Sequence, residues 1–338
     1  MRFKNLLSVF LLAGCFALSA AAQIPTVELP PVSGDAHSFI VANDLGRNGY
    51  YEQKTIAGLM GTLAENIDIE FVAALGDVHH FEGVASVEDP LWMTNYELIY
   101  SHPELMIDWY AILGNHEYRG NTQAVLDYAA VSRRWTPLGR YYAIEQEAGD
   151  KEKMLLVFID TTPMIDKYRE DAGKYPDAGK QNLKKQLDWI EKTLKNSSAK
   201  WKIVMGHHPV YADTYKGEEE RLDMQARLKP LLDAYGVDLY ICGHIHNFQH
   251  IRPIGSQVQY VVNSSGSLAR NVNAVEGTLF CSSDAGFSVV SADDKTLTMY
   301  MINGNGKIIY NFSIEKWTIY CRTFVEKIDS SPNKNGYP

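Results

Sequence analysis

Runs of consecutive apolar residues, each closed by Gly, Asn or Asp, recur at 39–42, 71–75, 109–113, 155–159, 203–205 and 239–241. Runs this short with no polar alternation mark strands covered on both faces. Between them, Leu183, Leu187, Ile190 and Leu194 repeat at steps of four, three and four residues, the period of one helix face. A second helix is expected over 224–235, with Gly236 as its stop. Strand and helix alternate, which predicts a parallel or mixed sheet with covering helices. Beyond residue 257 the pattern changes to strands without long helices, at 258–262, 287–291, 296–302 and 308–314. This part is expected to be antiparallel, with Asn303-Gly304-Asn305-Gly306 as the turn between its last two strands. The two parts together predict an α/β protein, a two-sheet sandwich flanked by helices, with mixed sheets.

Composition adds little to that picture, since 46% apolar and 22% charged residues across 338 positions is an ordinary globular balance. One domain over 23–320 is expected, followed by a polar tail at 321–338. Residues 1–22 read as an export signal: Arg2 and Lys4, an apolar stretch from Leu6, then Ser19-Ala20-Ala21-Ala22. That stretch is short for a membrane span and no other segment approaches the length, so no transmembrane anchor is expected. The mature chain is expected to be periplasmic or secreted. Leu12-Ala13-Gly14-Cys15 also resembles a bacterial lipoprotein cleavage box, a secondary route because Phe16-Ala17-Leu18 continues the apolar stretch. Cleavage after Ala22 leaves Cys242, Cys281 and Cys321, too few for a disulfide framework. Cys242 reads as a small buried hydrophobe, and Cys281 with Cys321 is the pair left open for a bridge.

Charge excludes one class of function. A formal net charge of -9 argues against nucleic acid as a stable partner, because such proteins present a basic face to phosphates. A monomer is expected, acting on a small molecule, and an anionic substrate has to be met by local positive charge.

The chemistry-bearing residues collect just past the C-terminal ends of the expected strands, where open α/β sheets place ligands. In chain order the blocks are Asp44-Leu45-Gly46, Gly76-Asp77-Val78-His79-His80, Gly114-Asn115-His116-Glu117, Gly206-His207 and Gly243-His244-Ile245-His246. His79, His80, His116, His207, His208, His244 and His246, seven of the ten histidines, lie in or beside these blocks. A single such block is usually a turn or a hydrogen-bonded histidine; five in order are not. Carboxylate, amide oxygen and imidazole together suit divalent or trivalent first-row metals, and a shared carboxylate holds two ions close together.

With these blocks assembled, the chain resembles the metallophosphoesterases, and within them the tartrate-resistant, type 5 purple acid phosphatases, over roughly 38–316. The resemblance extends to Arg119-Gly120-Asn121, Ser132-Arg133-Arg134-Trp135 and the Asn247 and Gln249 that follow the last block. It implies the calcineurin-like fold and a cofactor of two metal ions per chain. By the same resemblance Asp44, Asp77, His80 and His246 hold the first ion, and Asp77 bridges to a second held by Asn115, His207 and His244. His116 is then free of metal and faces the phosphate, assisting leaving-group departure or stabilising transition-state charge. Glu117 is expected to accept a hydrogen bond behind one of the imidazoles.

The chain departs from the family pattern in several places. The family's iron-binding tyrosine, three residues after the bridging aspartate, is here His80, and that spacing favours His80 over His79. Exchanging a phenolate for an imidazole removes a negative charge, so zinc, manganese or ferrous iron is favoured over ferric iron. Asn43 stands where the family commonly has glycine. The family's substrate-contacting histidine, nine residues after His207, is here Lys216, which either attracts phosphate as a point charge or is an ordinary loop lysine. His208 replaces a tyrosine and is expected at the pocket rim as a substrate contact.

The implied reaction is in-line attack of a metal-bound hydroxide on a phosphate monoester, as in an acid phosphatase. Three other readings stand beside it. A phosphodiesterase, nucleotidase or phytase-like activity would use the same centre, with Lys167, Arg169, Lys174 and Lys216 from the loops at 164–178 and 212–220 reading extra phosphates. A non-catalytic exported metal-binding protein has no need of His116. A serine hydrolase, suggested by Ser264-Ser265-Gly266-Ser267, lacks the Gly-x-Ser-x-Gly elbow.

Overall fold

The computed structural model describes residues 26–317. The signal read at 1–22, the Cys15 box, Cys321 and the tail at 321–338 lie outside the described residues. The strands are β1 (His37–Ala42), β2 (Phe71–Ala74), β3 (Asp108–Ala111), β4 (Tyr142–Ala148), β5 (Glu152–Phe158), β6 (Trp201–Met205) and β7 (Leu239–Cys242). They continue as β8 (Phe248–Ile251), β9 (Gln259–Val262), β10 (Thr278–Ser282), β11 (Gly286–Ala292), β12 (Thr296–Asn303) and β13 (Ile308–Glu315). The α-helices are α1 (Gln53–Asn66), α2 (Thr122–Asp127), α3 (Asp166–Glu170), α4 (Leu183–Asn196), α5 (Glu219–Arg227) and α6 (Lys229–Ala234).

Two mixed sheets result, one in the order β13-β12-β11-β1-β2-β3 and one in the order β10-β8-β9-β7-β6-β5-β4. Alternation along each apolar run divides its residues between two layers. Phe39, Val41, Phe71 and Ala73 of the first sheet join Leu156, Phe158, Ile203, Met205, Leu239 and Ile241 of the second in the inner core. Ile40, Ala42, Val72 and Ala74, with Val157, Val204 and Tyr240, belong to the other core together with Ile56, Leu59, Met60 and Leu63 of α1 and Ile190 and Leu194 of α4. Burial on both faces is why these strands lack polar alternation.

Three features differ from the sequence reading. The helix expected over 224–235 is two helices, α5 and α6, meeting at Leu228. Pro230 enters in the first turn of α6, where a proline is tolerated; further inside one continuous helix it would clash with the preceding turn. The stretch after residue 257 is not wholly antiparallel, since β9 pairs parallel with β7 and antiparallel with β8. The β8–β9 hairpin sets β9 between β7 and β8, so it runs in the direction of β7. Strands β4, β8 and β10 have no apolar run to announce them; in β8, Gln249 and His250 are buried despite their polarity. Cys242 is buried in β7 as read. Among the described residues no helix is long and apolar enough to cross a membrane.

The parallel strands β1, β2 and β3 of one sheet and β6 and β7 of the other end at the same place, and their following loops meet there. This junction brings the five sequence blocks together.

Candidate metal centre

The loops after these strands turn sharply. Asp44, Asp77, His244 and His246 are four of the six described non-glycine residues with positive φ, at 51°, 53°, 71° and 66°. Such backbone costs about 1–3 kcal/mol per residue and persists where the surroundings impose it. Gly114 shows how close the loops approach: a Cβ there would lie 2.2 Å from Asp77 Oδ1.

Each imidazole is oriented by one ring nitrogen and presents the other. Nδ1 of His80 donates to Gly46 O at 3.1 Å, that of His207 to Leu75 O at 2.8 Å and that of His246 to Leu268 O at 2.9 Å. In all three Nε2 faces the carboxylates: His246 Nε2 is 3.1 Å from Asp44 Oδ1, and His207 and His80 Nε2 are 3.1 and 3.5 Å from Asp77 Oδ2. His244 is reversed. Its Nδ1 faces His207 Nε2 at 3.3 Å while its Nε2 donates to Glu220 Oε2 at 2.8 Å.

The second oxygens of the carboxylates are spent on backbone and amide donors. Asp44 Oδ2 accepts from Asn43 Nδ2 at 2.6 Å and from the backbone N–H of His244 at 2.8 Å, and Asp77 Oδ1 accepts from the N–H of His116 at 2.9 Å. Burial works against charge on both aspartates, yet the imidazoles of His246 and His207 outweigh it and hold both carboxyls below the usual range.

Several buried donor atoms remain without hydrogen bonds, among them Asp44 Oδ1, His80 Nε2 and Asn115 Oδ1. An unsatisfied buried polar atom costs about 1–3 kcal/mol, so such atoms on Asp44 and His80, which share one cluster, suit a cation better than an empty core. Asp44, His80 and His246 bring one donor atom each within 4.8 Å of one another, as do Asp44, Asp77 and His207. Asp77 with His80 and His116 forms a third such group, and His207 with His208 and His244 a fourth. Oxygen and imidazole donors around a shared carboxylate fit a pair of first-row metal ions.

The remaining predicted residues fall in different places. His116 is the most open imidazole of the cluster, its side chain 15% exposed, with Nδ1 donating to Phe81 O at 2.6 Å and Nε2 3.8 Å from Asp77 Oδ2. His79 turns away, its ring edge-on to Trp92 at 4.3 Å. Lys216 is not a solvated loop lysine: Nζ lies 2.6 Å from His244 Nε2, and burial lowers its pKa to about 8. His208 was expected at the rim, but it is fully buried in the bend after β6, with Nδ1 on Thr161 Oγ1 at 2.8 Å and its ring 4.3 Å from that of His244. Glu117 supports main chain rather than an imidazole: it accepts from the N–H groups of Asp77 at 2.8 Å, His79 at 3.1 Å and Gly114 at 2.7 Å.

Two of the four loop cations named for extra phosphates, and the serine cluster, are engaged elsewhere. Lys167 donates to Glu220 Oε1 at 2.6 Å, and Arg169 is held by Pro163 O at 3.3 Å and Asp166 at 3.8 Å, so neither is a free cation. The hydroxyls of Ser265 and Ser267 both donate to the Asp44 carbonyl, at 2.8 and 2.9 Å, and tie the first loop in place. Two residues escaped the sequence reading. Glu220 sits on α5 with no motif around it, and Arg47 lies three residues past Asp44, where a basic residue in a loop gives no signal.

Residues 33–248 match the family described as calcineurin-like phosphoesterase. The chain is 34% identical over 327 residues to purple acid phosphatase 4 of Arabidopsis thaliana, covering 93% of this chain and 92% of that one. It is 28% identical over 268 residues to tartrate-resistant acid phosphatase type 5 of Mus musculus, covering 75% and 80%. Among solved structures, GAP50, the anchor in the inner membrane complex of Plasmodium, shares the fold with a TM-score of 0.72 at 22% identity, over 84% of this chain and 90% of that one. The chain therefore belongs to the calcineurin-like phosphoesterase family, on its purple acid phosphatase branch, and is a metal-dependent hydrolase of phosphoric esters.

Proposed function

We propose that this chain hydrolyses phosphate monoesters at a dinuclear centre. Asp44, Asp77, His80 and His246 hold one ion; Asp77, Asn115, His207 and His244 hold the other. The observation that carries this reading is the place of Asp77, whose Oδ2 stands 3.1 Å from His207 Nε2 and 3.5 Å from His80 Nε2, between the two donor groups. Bound metals supply Lewis acidity toward phosphoryl oxygens and an activated water.

The chain's own residues do the rest. Main-chain carbonyls accept from Nδ1 of His80, His207 and His246 and so turn Nε2 of each ring toward the carboxylates, where it would ligate an ion once free of its proton. His116, whose Nε2 lies 3.8 Å from Asp77 Oδ2 and which this reading assigns to neither ion, stands against the departing oxygen. Lys216 adds a positive charge on the His244 side. His80 in place of a phenolate leaves the first site one negative charge poorer, which favours zinc, manganese or ferrous iron.

The test is reconstitution of metal-stripped protein, ion by ion, against a panel of monoesters and diesters. Two ions per chain with monoesters turned over fastest is the expected result. Faster turnover of diesters, or full activity with one ion, overturns the reading.

A further inference from the structure

Beside His80 lies a cleft of about 460 Å³ whose other lining side chains have no part in the metal cluster described above. It is lined by Arg47, Asn48, Tyr50, Tyr51, Phe81 and His80 itself. Three of these are aromatic rings left open to solvent: Tyr50 is 71% exposed, Tyr51 67% and Phe81 64%. Large rings gathered this way around one cavity mark a binding surface more than a scattering of surface apolar residues does.

Arg47 is the reverse case, a charged residue only 7% exposed. Its Nε is buried without a partner, and among the described residues its guanidinium has no hydrogen bond or ion pair. It stacks over the Phe81 ring, 4.8 Å from the centroid. The Asp44 and Asp77 carboxylates act on this charge through space, but a buried guanidinium with its own donors unfilled is costly, and it stands beside the metal cluster. Guanidinium matches phosphate oxygens in geometry and lies flat against aromatic rings, so one residue can serve both ends of an aromatic phosphate.

We propose that this cleft receives the alcohol portion of the substrate and selects phosphate monoesters carrying a flat aromatic ring, with Arg47 pairing to phosphate oxygens at its mouth. The proposal rests on the monoester reading above. The ring lies among Tyr50, Tyr51 and Phe81, whose π faces reward a planar aromatic group over a puckered aliphatic one of equal size. Because His80 belongs both to the cleft and to the metal cluster, a ring held there leaves its phosphate at the metals. Aryl esters and nucleotides share this chemistry.

The decisive comparison is kcat/KM of the metal-loaded enzyme for benzyl phosphate and cyclohexylmethyl phosphate. Their alcohols hardly differ in acidity, so the bond-breaking step is matched and the ratio reports ring recognition. A preference of about tenfold or more for the benzyl ester is expected from one stacking contact. Tyr50→Leu should reduce that ratio with metal content unchanged. Arg47→Met should raise KM for both esters and leave the ratio alone. Calorimetry with benzylphosphonate and cyclohexylmethylphosphonate, which are not turned over, should show the same preference in binding.

Equal kcat/KM for the two esters overturns the subsite while leaving the phosphatase reading intact. A preference untouched by both Tyr50→Leu and Phe81→Leu overturns the assignment to this cleft. Hydrolysis of neither ester sinks the monoester reading, and the subsite with it. A preference extending to adenosine 5′-monophosphate over ribose 5-phosphate supports the cleft as a nucleotide site, and one confined to the benzyl ester supports it as a site for small ring-bearing esters.

Discussion

Glu220 Oε2 lies 2.8 Å from Nε2 of His244, so this carboxylate from α5 orients the one ring of the cluster that turns its Nδ1 inward. Its other oxygen accepts from Tyr168 Oη at 2.7 Å and Lys167 Nζ at 2.6 Å, which anchors it on three sides. Loss of such a support typically weakens metal affinity by about 10–100-fold. Glu220→Gln should therefore lower the affinity for one ion by that amount and leave the other bound. Titration of stripped protein with zinc checks it; two unchanged affinities would show that Glu220 only balances the charge of Lys216.

Asp77→Asn removes the charge shared by the two donor groups. Metal content should fall to one ion or none and hydrolysis should be abolished, while the fold persists through both cores. Elemental analysis beside circular dichroism separates these effects. Normal activity with two ions bound removes the central claim.

His80 supplies no phenolate. The iron-loaded protein should lack the intense visible charge-transfer band of a tyrosinate–iron site, and His80→Tyr should introduce one with ferric iron. An absorption spectrum decides it, and a strong purple band in the unmodified protein would mean that another tyrosine ligates.

His116 and Asn115 are neighbours assigned to different tasks. His116→Ala should keep both ions and lose roughly 10²–10⁴-fold in rate on alkyl phosphates, less on activated aryl phosphates whose leaving group departs without a proton. Asn115→Ala should lose metal and harm both substrate types alike. The readouts are metal stoichiometry and the alkyl-to-aryl rate ratio. Metal loss in the His116 variant refutes its separation from the metals. Equal damage to both substrates with metals retained makes it a binding residue instead.

The residue types of the centre and their order were legible in the sequence, because each follows an apolar strand and the period of burial is a local property. Asp44, Asp77, Asn115, His207, His244 and His246 stand just past strands that show as apolar runs, and no partner knowledge is needed to find such strands. The choice of His80 over His79 came from the resemblance, which places a ligand three residues after the bridging aspartate; in the structure His80 Nε2 lies 3.5 Å from Asp77 Oδ2 while His79 turns to Trp92.

Other features depended on contacts between distant parts of the chain. Glu220 is 24 residues before the ring it orients, and nothing near it in sequence marks a carboxylate in an exposed-looking helix as the partner of a buried imidazole. Arg47 became informative only when the tertiary structure buried it with no hydrogen bond or ion pair to its guanidinium among the described residues. His208 is buried against Thr161, 47 residues away, instead of reaching the rim, and the Ser265 and Ser267 hydroxyls found their partner in Asp44 O, 221 and 223 residues away. Strand β9 lies parallel to β7 because of the hairpin placed beside it, a matter of sheet order that its own residues do not encode. Periodicity reports whether a residue is covered; only the assembled layers decide by what.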